Sequence, residues 1–170
     1  HRLDRPVGGV MVFAKTSKAL SRLNEAFRVG DMHKTYWAVV CQRPKENEKM
    51  LVHYLTRNEK QNKAYAYTLP KPGAKEAKLK YKFLKSTDRY FLLEVELYTG
   101  RHHQIRVQLS NMGHSICGDQ KYGTRGRGKQ ISLWAYKLTI EHPITKEEMT
   151  FTDLPEEVGP WVMLKDIDIM

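Results

Sequence analysis

Two runs of alternating residues, separated by a short turn, constrain the fold of this chain more than any other feature of its sequence. In the first run, residues 77–83, apolar side chains alternate with lysines. Successive side chains of a strand point to opposite faces of a sheet, so this run predicts a strand with one apolar and one basic face. The second run, residues 91–97, follows a segment at 86–90 whose composition is typical of a turn. Together the two runs predict an antiparallel hairpin.

The rest of the chain adds more strands and few helices. Further strands are predicted at 10–14 (after a Gly-Gly pair), 35–41, 50–55, 131–140 and 148–152. One helix is expected to be capped by Thr16 or Ser17 and ended by Gly30, and a second to run from about Gln104 to Gly113. We therefore expect one domain with an α+β fold, a mixed and mostly antiparallel sheet flanked by a few helices.

The charge of the chain is strongly basic and unevenly distributed. It has 29 Lys plus Arg against 19 Asp plus Glu, a formal net charge of +10. Residues 57–89 hold ten basic and three acidic groups, residues 101–130 hold six and one, and residues 141–170 hold two and eight. A basic surface binds polyanions by releasing their condensed counterions, and nucleic acid is the commonest such partner. A lysine-rich face that only keeps the protein in solution explains the charge equally well.

Cysteine, histidine and apolar content exclude several other classes of protein. Cys41 and Cys117 have no Cys-x-x-Cys spacing, so we expect neither a disulfide framework nor a zinc knuckle. This cysteine usage predicts a location in the reducing cytoplasm. No apolar run approaches the roughly 18 residues of a membrane helix, so no membrane partner is expected. Adjacent residues such as His102 and His103 rarely aim at one ion, and no acidic ligand cluster accompanies them. We therefore expect no metal site.

The densest group of charged residues lies at the start of the chain, in the sequence HRLDR. Asp4 is flanked by Arg2 and Arg5 just before the Gly-Gly pair. Nearby cations favour the charged form of a carboxyl group, so Asp4 should remain ionised and able to act as a nucleophile or base. A turn aspartate paired with a neighbouring arginine is the simpler interpretation of these residues alone.

Four segments in register resemble the RluA-type pseudouridine synthases. They are HRLDR at 1–5, KTYWAVV at 34–40, TGRHHQIRV at 99–107 and GDQKYG at 118–123. They occur in that family's order, and several motifs in register are far more specific than any one of them. The resemblance implies an isomerase that breaks the C1′–N1 bond of a uridine in RNA, turns the uracil and joins its C5 to C1′. It also implies that no metal or organic cofactor takes part.

The resemblance implies a role for particular residues of this chain. Asp4 matches the family's essential aspartate, Tyr36 the tyrosine that packs on the target base, and Arg101 the basic residue that pairs with the aspartate. Ile105 matches the apolar position that lines the pocket, and Arg2 the residue that helps to hold the displaced nucleotide.

Physical chemistry makes this reaction reasonable for such residues. Breaking a glycosidic bond gives C1′ oxocarbenium character that a carboxylate can stabilise or capture. Asp4 could attack C1′, add to the uracil ring or remove a sugar proton, and the sequence leaves these three mechanisms open. Turning a uridine out of its stack costs roughly a few kcal/mol, which contacts to phosphate must offset. Arg2, Arg5 and Arg106 are the candidates for these contacts.

The chain also departs from the family's pattern. Val7-Gly8-Gly9 stands where the family usually has Thr-Ser-Gly, which is expected to loosen the turn behind Asp4. Gln108 stands where many members have His. The family carries strands before this aspartate, so we expect residues 1–170 to be a single catalytic domain truncated at its N-terminus.

The function expected from the sequence is therefore an RNA pseudouridine synthase that acts on structured RNA, ribosomal RNA before transfer RNA, as a monomer. The alternative is a catalytically silent RNA-binding domain that retains the fold. It predicts salt-sensitive RNA binding without any new nucleoside. A small metal-dependent hydrolase is a distant third possibility.

Overall fold

The structure is a computed structural model that describes residues 2–123 and 130–166. Its elements in chain order are β1 (Gly8–Gly9), α1 (Ser17–Val29), β2 (His33–Val40), β3 (Glu48–Asn58), β4 (Lys63–Tyr67), β5 (Lys75–Ser86), β6 (Phe91–Leu97), α2 (Gln104–Asn111), β7 (Leu133–Glu141), β8 (Glu148–Thr152) and a 3-10 helix (Gly159–Asp166). His1 of the first motif and residues 124–129, a stretch that the sequence predicts to be flexible and basic, lie outside the described residues.

The strands form one sheet, and its topology confirms the predicted fold class. The order is β1–β7–β2–β6–β5–β3–β4, with β8 paired to β7. Between the strands described, pairing is antiparallel except for the two-residue parallel contact of β1 with β7. Antiparallel neighbours need only short connections, which suits a chain with two α-helices among its described residues.

The predicted hairpin is confirmed as β5 and β6. Leu79 pairs with Leu97 across it and is fully buried. Lys78 and Lys80 lie on the opposite face, where the Nζ of Lys78 is 3.0 Å from Glu76 and the Nζ of Lys80 is 2.8 Å from Glu48. Acidic neighbours therefore balance part of this basic face. The sequence did not predict β4, which pairs with β3 in a second hairpin.

The core lies on both faces of β2, which explains why this strand is apolar along most of its length. On one face, Tyr36 and Ala38 pack with Ile105 of α2. On the other face, Trp37 packs with Trp161 of the 3-10 helix. The sequence of a strand that is covered on both faces is a nearly continuous apolar run rather than an alternating one.

Both predicted helices are confirmed, and α1 has the caps expected at both of its ends. Thr16 Oγ1 accepts a hydrogen bond from the Ala19 N–H at 3.1 Å, and Gly30 (φ 92°) closes α1 by donating to the Ala26 carbonyl. Gly113 lies just beyond the end of α2, also with a positive φ of 83°. Among the residues described, no helix combines the length and apolar character needed to cross a membrane.

The strand predicted at 10–14 is wrong. Only Gly8 and Gly9 pair with β7, opposite Trp134 and Ala135. Beyond that point β8 pairs with β7, so the same edge of β7 offers no free hydrogen-bonding groups to residues 10–14. Val10, Val12 and Ala14 instead pack, partly buried, against a cluster that includes α1 residues, whereas Met11 and Phe13 are exposed.

In the structure, Gly8 makes room for a neighbouring aromatic side chain. A Cβ at this position would overlap the ring of Trp134, with the Cη2 atom 2.6 Å away. The glycine therefore allows β1 to lie directly against the tryptophan ring.

We expect Gly8→Ser, which introduces the residue usual in the family, to lower the free energy of unfolding by about 1–3 kcal/mol through overpacking. Urea denaturation measures the change. In a background with Trp134→Leu the same serine should cost less, because the two positions are in contact. An equal cost in both backgrounds would show that the ring is not the obstacle.

The expectation of no disulfide framework is wrong for this structure, in which Cys41 and Cys117 form a disulfide with Cα atoms 5.8 Å apart. They are 76 residues apart in the chain, so no local spacing indicated the pair. Val40 forms a β-bridge with Ile116, and the Cys117 N–H donates to the Val39 carbonyl at 2.8 Å. This contact between distant segments brings the two cysteines together.

Candidate active site

The N-terminal segment, β2 and α2 meet around one cavity of about 270 Å³. Nearly all the site residues suggested by the sequence line it: Arg2, Asp4, Tyr36, Arg101, Ile105 and Arg106. Arg5 does not line this cavity but a wider groove of about 870 Å³ beside it, which Asp4 also lines. The fold therefore collects residues that are spread over about a hundred positions of the sequence.

Asp4 lies in a turn at the wall of the cavity. The Val7 N–H donates to the Asp4 carbonyl at 2.9 Å and closes the turn, leaving the Asp4 side chain 25% exposed. The Nη1 atom of Arg106 is 3.4 Å from Asp4 Oδ2, and the Nε2 atom of His103 is 3.9 Å from the same oxygen. The carboxylate of Asp4 therefore lies beside the Arg106 guanidinium and the His103 imidazole, and it also borders the cavity.

Arg106 is held by a second, fully buried aspartate. Its Nε and Nη2 atoms donate to the two carboxylate oxygens of Asp119, each at 2.8 Å. Burial by itself raises the pKa of Asp119, but the hydrogen bonds and charge of Arg106, with backbone N–H groups of Lys121 and Tyr122, hold that pKa below its usual range. The bidentate pair sets the orientation of the guanidinium, which leaves Nη1 to contact Asp4.

The predicted pairing of Arg101 with Asp4 is corrected by this geometry. The Nε of Arg101 donates to the carbonyl of Glu76 at 2.9 Å, whereas Arg106 contacts the aspartate. Arg101 precedes α2, while Arg106 lies on the helix beside the loop that holds Asp119. Both arginines belong to the motif TGRHHQIRV, and the local sequence did not indicate which of them reaches Asp4.

Tyr36 and Ile105 form an apolar part of the cavity wall. Both side chains are buried and belong to the same core cluster. Burial, together with the charge of Asp4, raises the pKa of Tyr36 to about 12, so the phenol is neutral at pH 7. The position and burial of these side chains suit the packing of a planar, uncharged ring.

A chain of hydrogen bonds defines the state of His103, a residue to which the sequence had assigned no role. The Ala64 N–H donates to Tyr122 Oη at 2.7 Å, and Tyr122 Oη lies 2.7 Å from His103 Nδ1. The Tyr122 hydroxyl accepts from Ala64 and has its own proton to donate to Nδ1; in that arrangement the proton of neutral His103 is on Nε2, facing Asp4. The GDQKYG motif, which contains Tyr122, was the available signal for this arrangement.

Burial outweighs the charge of Asp4 and, with the positive charge of Arg106, lowers the pKa of His103 to about 4. The unfolded imidazole titrates near the ordinary value of 6.5. Between these values the unfolded chain binds a proton that the folded chain does not. The contribution of His103 to the free energy of unfolding should be constant above about pH 6.5 and fall below it, by on the order of 1 to 2 kcal/mol at pH 5.

Urea unfolding of the wild type and of His103→Asn at about pH 7.5 and about pH 5 tests this expectation. The variant should lose less stability between the two conditions. His53 and His102, whose pKa values burial also lowers, contribute to the loss in both proteins. The same loss in variant and wild type would contradict the assignment to His103.

The groove beside the cavity is basic. Arg57 of β3 and Lys121 line it together with Arg2 and Arg5. Lys121 Nζ donates to the Asn62 carbonyl at 2.7 Å, which ties the loop that carries Asp119 to the β3–β4 hairpin. Sequence reasoning had not identified Arg57 or Lys121.

Within residues 2–123 and 130–166, no group of His, Cys, Asp and Glu side chains is arranged to hold a metal ion. The rings of His102 and His103 stack on each other, with centroids 3.7 Å apart.

Comparison with known proteins identifies the family. The model of the RNA pseudouridylate synthase family matches residues 1–111. A tRNA pseudouridine synthase C of Vibrio parahaemolyticus is 33% identical over 169 residues, covering 88% of this chain and 68% of the relative. A ribosomal large subunit pseudouridine synthase C of Haemophilus influenzae is 31% identical over 162 residues, covering 89% of this chain and 49% of the relative. The chain belongs to the RNA pseudouridylate synthase family.

Solved structures agree with this assignment. Human RNA pseudouridylate synthase domain containing 4 superposes with a TM-score of 0.76 at 25% identity, covering 95% of this chain and 72% of the human chain. The chain spans about half the length of several curated relatives, for example 47% of an RNA pseudouridine synthase of Synechocystis that is 32% identical to it.

Proposed function

We propose that this chain isomerises a uridine within RNA to pseudouridine, with Asp4 as the catalytic carboxylate. The observation that carries this proposal is the position of Asp4 at the wall of a cavity, in contact with Arg106, which Asp119 holds in place. A carboxylate so placed can stabilise or capture positive charge that develops at C1′ as the glycosidic bond breaks.

The remaining wall of the cavity supports the second half of the reaction. After the C1′–N1 bond breaks, the uracil must turn and present C5 to C1′ without escaping. Tyr36 and Ile105 offer it an apolar surface to pack on. The new C1′–C5 bond replaces the old one, C5 loses a proton and N1 gains one, so the reaction needs no oxidant, reductant or other cofactor.

The basic groove supports RNA as the substrate. Arg2, Arg5, Arg57 and Lys121 line it next to Asp4, where the backbone of a polynucleotide would pass if its uridine entered the cavity. Contacts between these side chains and phosphates would release counterions and offset the cost of unstacking the nucleotide. We propose structured RNA as the substrate, with ribosomal RNA the first class to test, and a monomeric enzyme.

Incubating the protein with ribosomal and transfer RNA transcripts tests the proposal. Uridine-specific derivatisation followed by mass spectrometry should reveal pseudouridine at a defined position. The same measurement on RNA from cells with and without the full-length protein identifies the natural site. Salt-sensitive RNA binding with no new nucleoside in either experiment would instead favour the catalytically silent RNA-binding domain.

A further inference from the structure

Lys34 is a buried cation in the cavity to which neither the family motifs nor the proposed reaction gave a role. It lies on β2 two residues before Tyr36, so both side chains point to the same face of the sheet. Lys34 lines the cavity and is only 7% exposed. Its Nζ lies 4.2 Å from the centroid of the Phe27 ring, and no carboxylate of the described residues pairs with it.

A buried lysine without a counter-ion destabilises the folded protein when no ligand is bound. Transfer of an ammonium group out of water is unfavourable unless a counter-ion or hydrogen bonds compensate it, and an aromatic ring compensates only in part. Burial accordingly lowers the pKa of Lys34. A cation retained under these conditions is explained if a ligand supplies the missing negative charge.

The other charged side chains of the cavity do not neutralise Lys34, so an anion can bind beside it. Arg106 is neutralised by Asp119, so it is not available to a ligand as a full charge. Among the described residues that line the cavity, Asp4 is the one carboxylate, whereas Lys34, Arg2 and Arg101 are cations without a carboxylate partner. The lining therefore carries an excess of positive charge in the absence of substrate.

We propose that Lys34 binds an oxyanion of the substrate inside the cavity, namely a phosphate of the RNA backbone next to the target uridine. This inference rests on the proposed function only for the identity of the ligand as RNA. A phosphodiester carries its charge permanently and can balance Lys34 throughout binding. A uracil oxygen carries negative charge only while the base is detached, and lysine binds phosphate well as a compact point charge.

Three variants separate a binding role from a structural one. Lys34→Met removes the charge and keeps a flexible side chain of similar length, while Lys34→Arg keeps the charge. Lys45→Met is the matched control, because Lys45 is exposed and follows the other end of β2. The free energy of unfolding should not fall in Lys34→Met, since a buried cation without a counter-ion is removed.

Binding of a uridine-containing RNA oligonucleotide, followed by fluorescence anisotropy over a range of NaCl concentrations, gives the decisive measurement. Lys34→Met should weaken binding by about ten-fold at low salt and reduce the slope of log K against log salt by about one. Lys34→Arg should retain most of the affinity and the slope, and Lys45→Met should match the wild type. This readout does not require turnover, so a wild type that makes no pseudouridine would refute the proposed function and leave the anion site intact.

Two results would overturn the assignment of Lys34 to a backbone phosphate. If Lys34→Met keeps the affinity and the salt slope while kcat falls, the group it meets is the detached uracil. If affinity, slope and kcat all equal those of Lys45→Met, Lys34 binds no anion of the substrate.

Discussion

Replacing Asp4 by asparagine should reduce the rate of pseudouridine formation by at least about a thousand-fold, with RNA affinity changed by no more than about two-fold. Asparagine has nearly the same shape but no negative charge. It can neither stabilise oxocarbenium character at C1′ nor form a covalent bond through a carboxylate oxygen. Single-turnover assays with excess enzyme report the chemical step, and filter binding reports the affinity.

Asp88→Asn is a suitable control for this variant, because Asp88 is exposed in the turn between β5 and β6, whereas the other end of β6 reaches the cavity at Leu97. The control should have wild-type rates. Product formed by Asp4→Asn at a rate near that of the wild type would exclude every mechanism that uses this carboxylate.

Replacing Arg106 by methionine should lower the free energy of unfolding by about 3–5 kcal/mol, because it leaves a buried carboxylate without its partner. Arg106 is 5% exposed and Asp119 is 3% exposed, and two hydrogen bonds of 2.8 Å join them. The same substitution removes the cation that contacts Asp4, so activity should fall as well. Urea or thermal denaturation gives the change in stability.

A double variant distinguishes the effect of leaving Asp119 unpaired from the effect of losing the Arg106 side chain. Arg106→Met combined with Asp119→Leu should recover part of the stability, since no unpaired carboxylate then remains in the core. Arg28→Met breaks an exposed ion pair with Glu25 and should leave the unfolding midpoint nearly unchanged. If the double variant is no more stable than Arg106→Met alone, desolvation of Asp119 does not explain the loss.

Local sequence signals were sufficient for most of the secondary structure. The alternation at 77–83 predicted β5, and Thr16 and Gly30 predicted the two ends of α1, because capping and alternation depend on neighbouring residues. The strand expected at 10–14 failed for a non-local reason: β8 pairs with the edge of β7 that it would have used. Apolar composition indicates burial but not which partner provides it.

In the candidate site as well, some features followed from the sequence and others only from the tertiary structure. The motifs predicted that Asp4, Tyr36 and Ile105 belong to one site, and the three side chains line one cavity. Sequence reasoning chose Arg101 as the partner of Asp4, whereas Arg106 has that contact across 102 residues of chain. It also passed over Lys34, because nothing in a lysine's sequence neighbours shows that its side chain is 7% exposed.

The sequence by itself determined the kind of fold, the family and the acid on which the proposed chemistry depends, since these rest on periodicity and on motifs contiguous in the chain. Only the tertiary structure decided which arginine meets Asp4, that Asp119 holds that arginine, and that Cys41 is joined to Cys117. Each of these is a contact between side chains that are not neighbours in sequence, with separations of 102, 13 and 76 residues. Its existence depends on the distance and direction that the folded backbone imposes, which no local pattern of residues encodes.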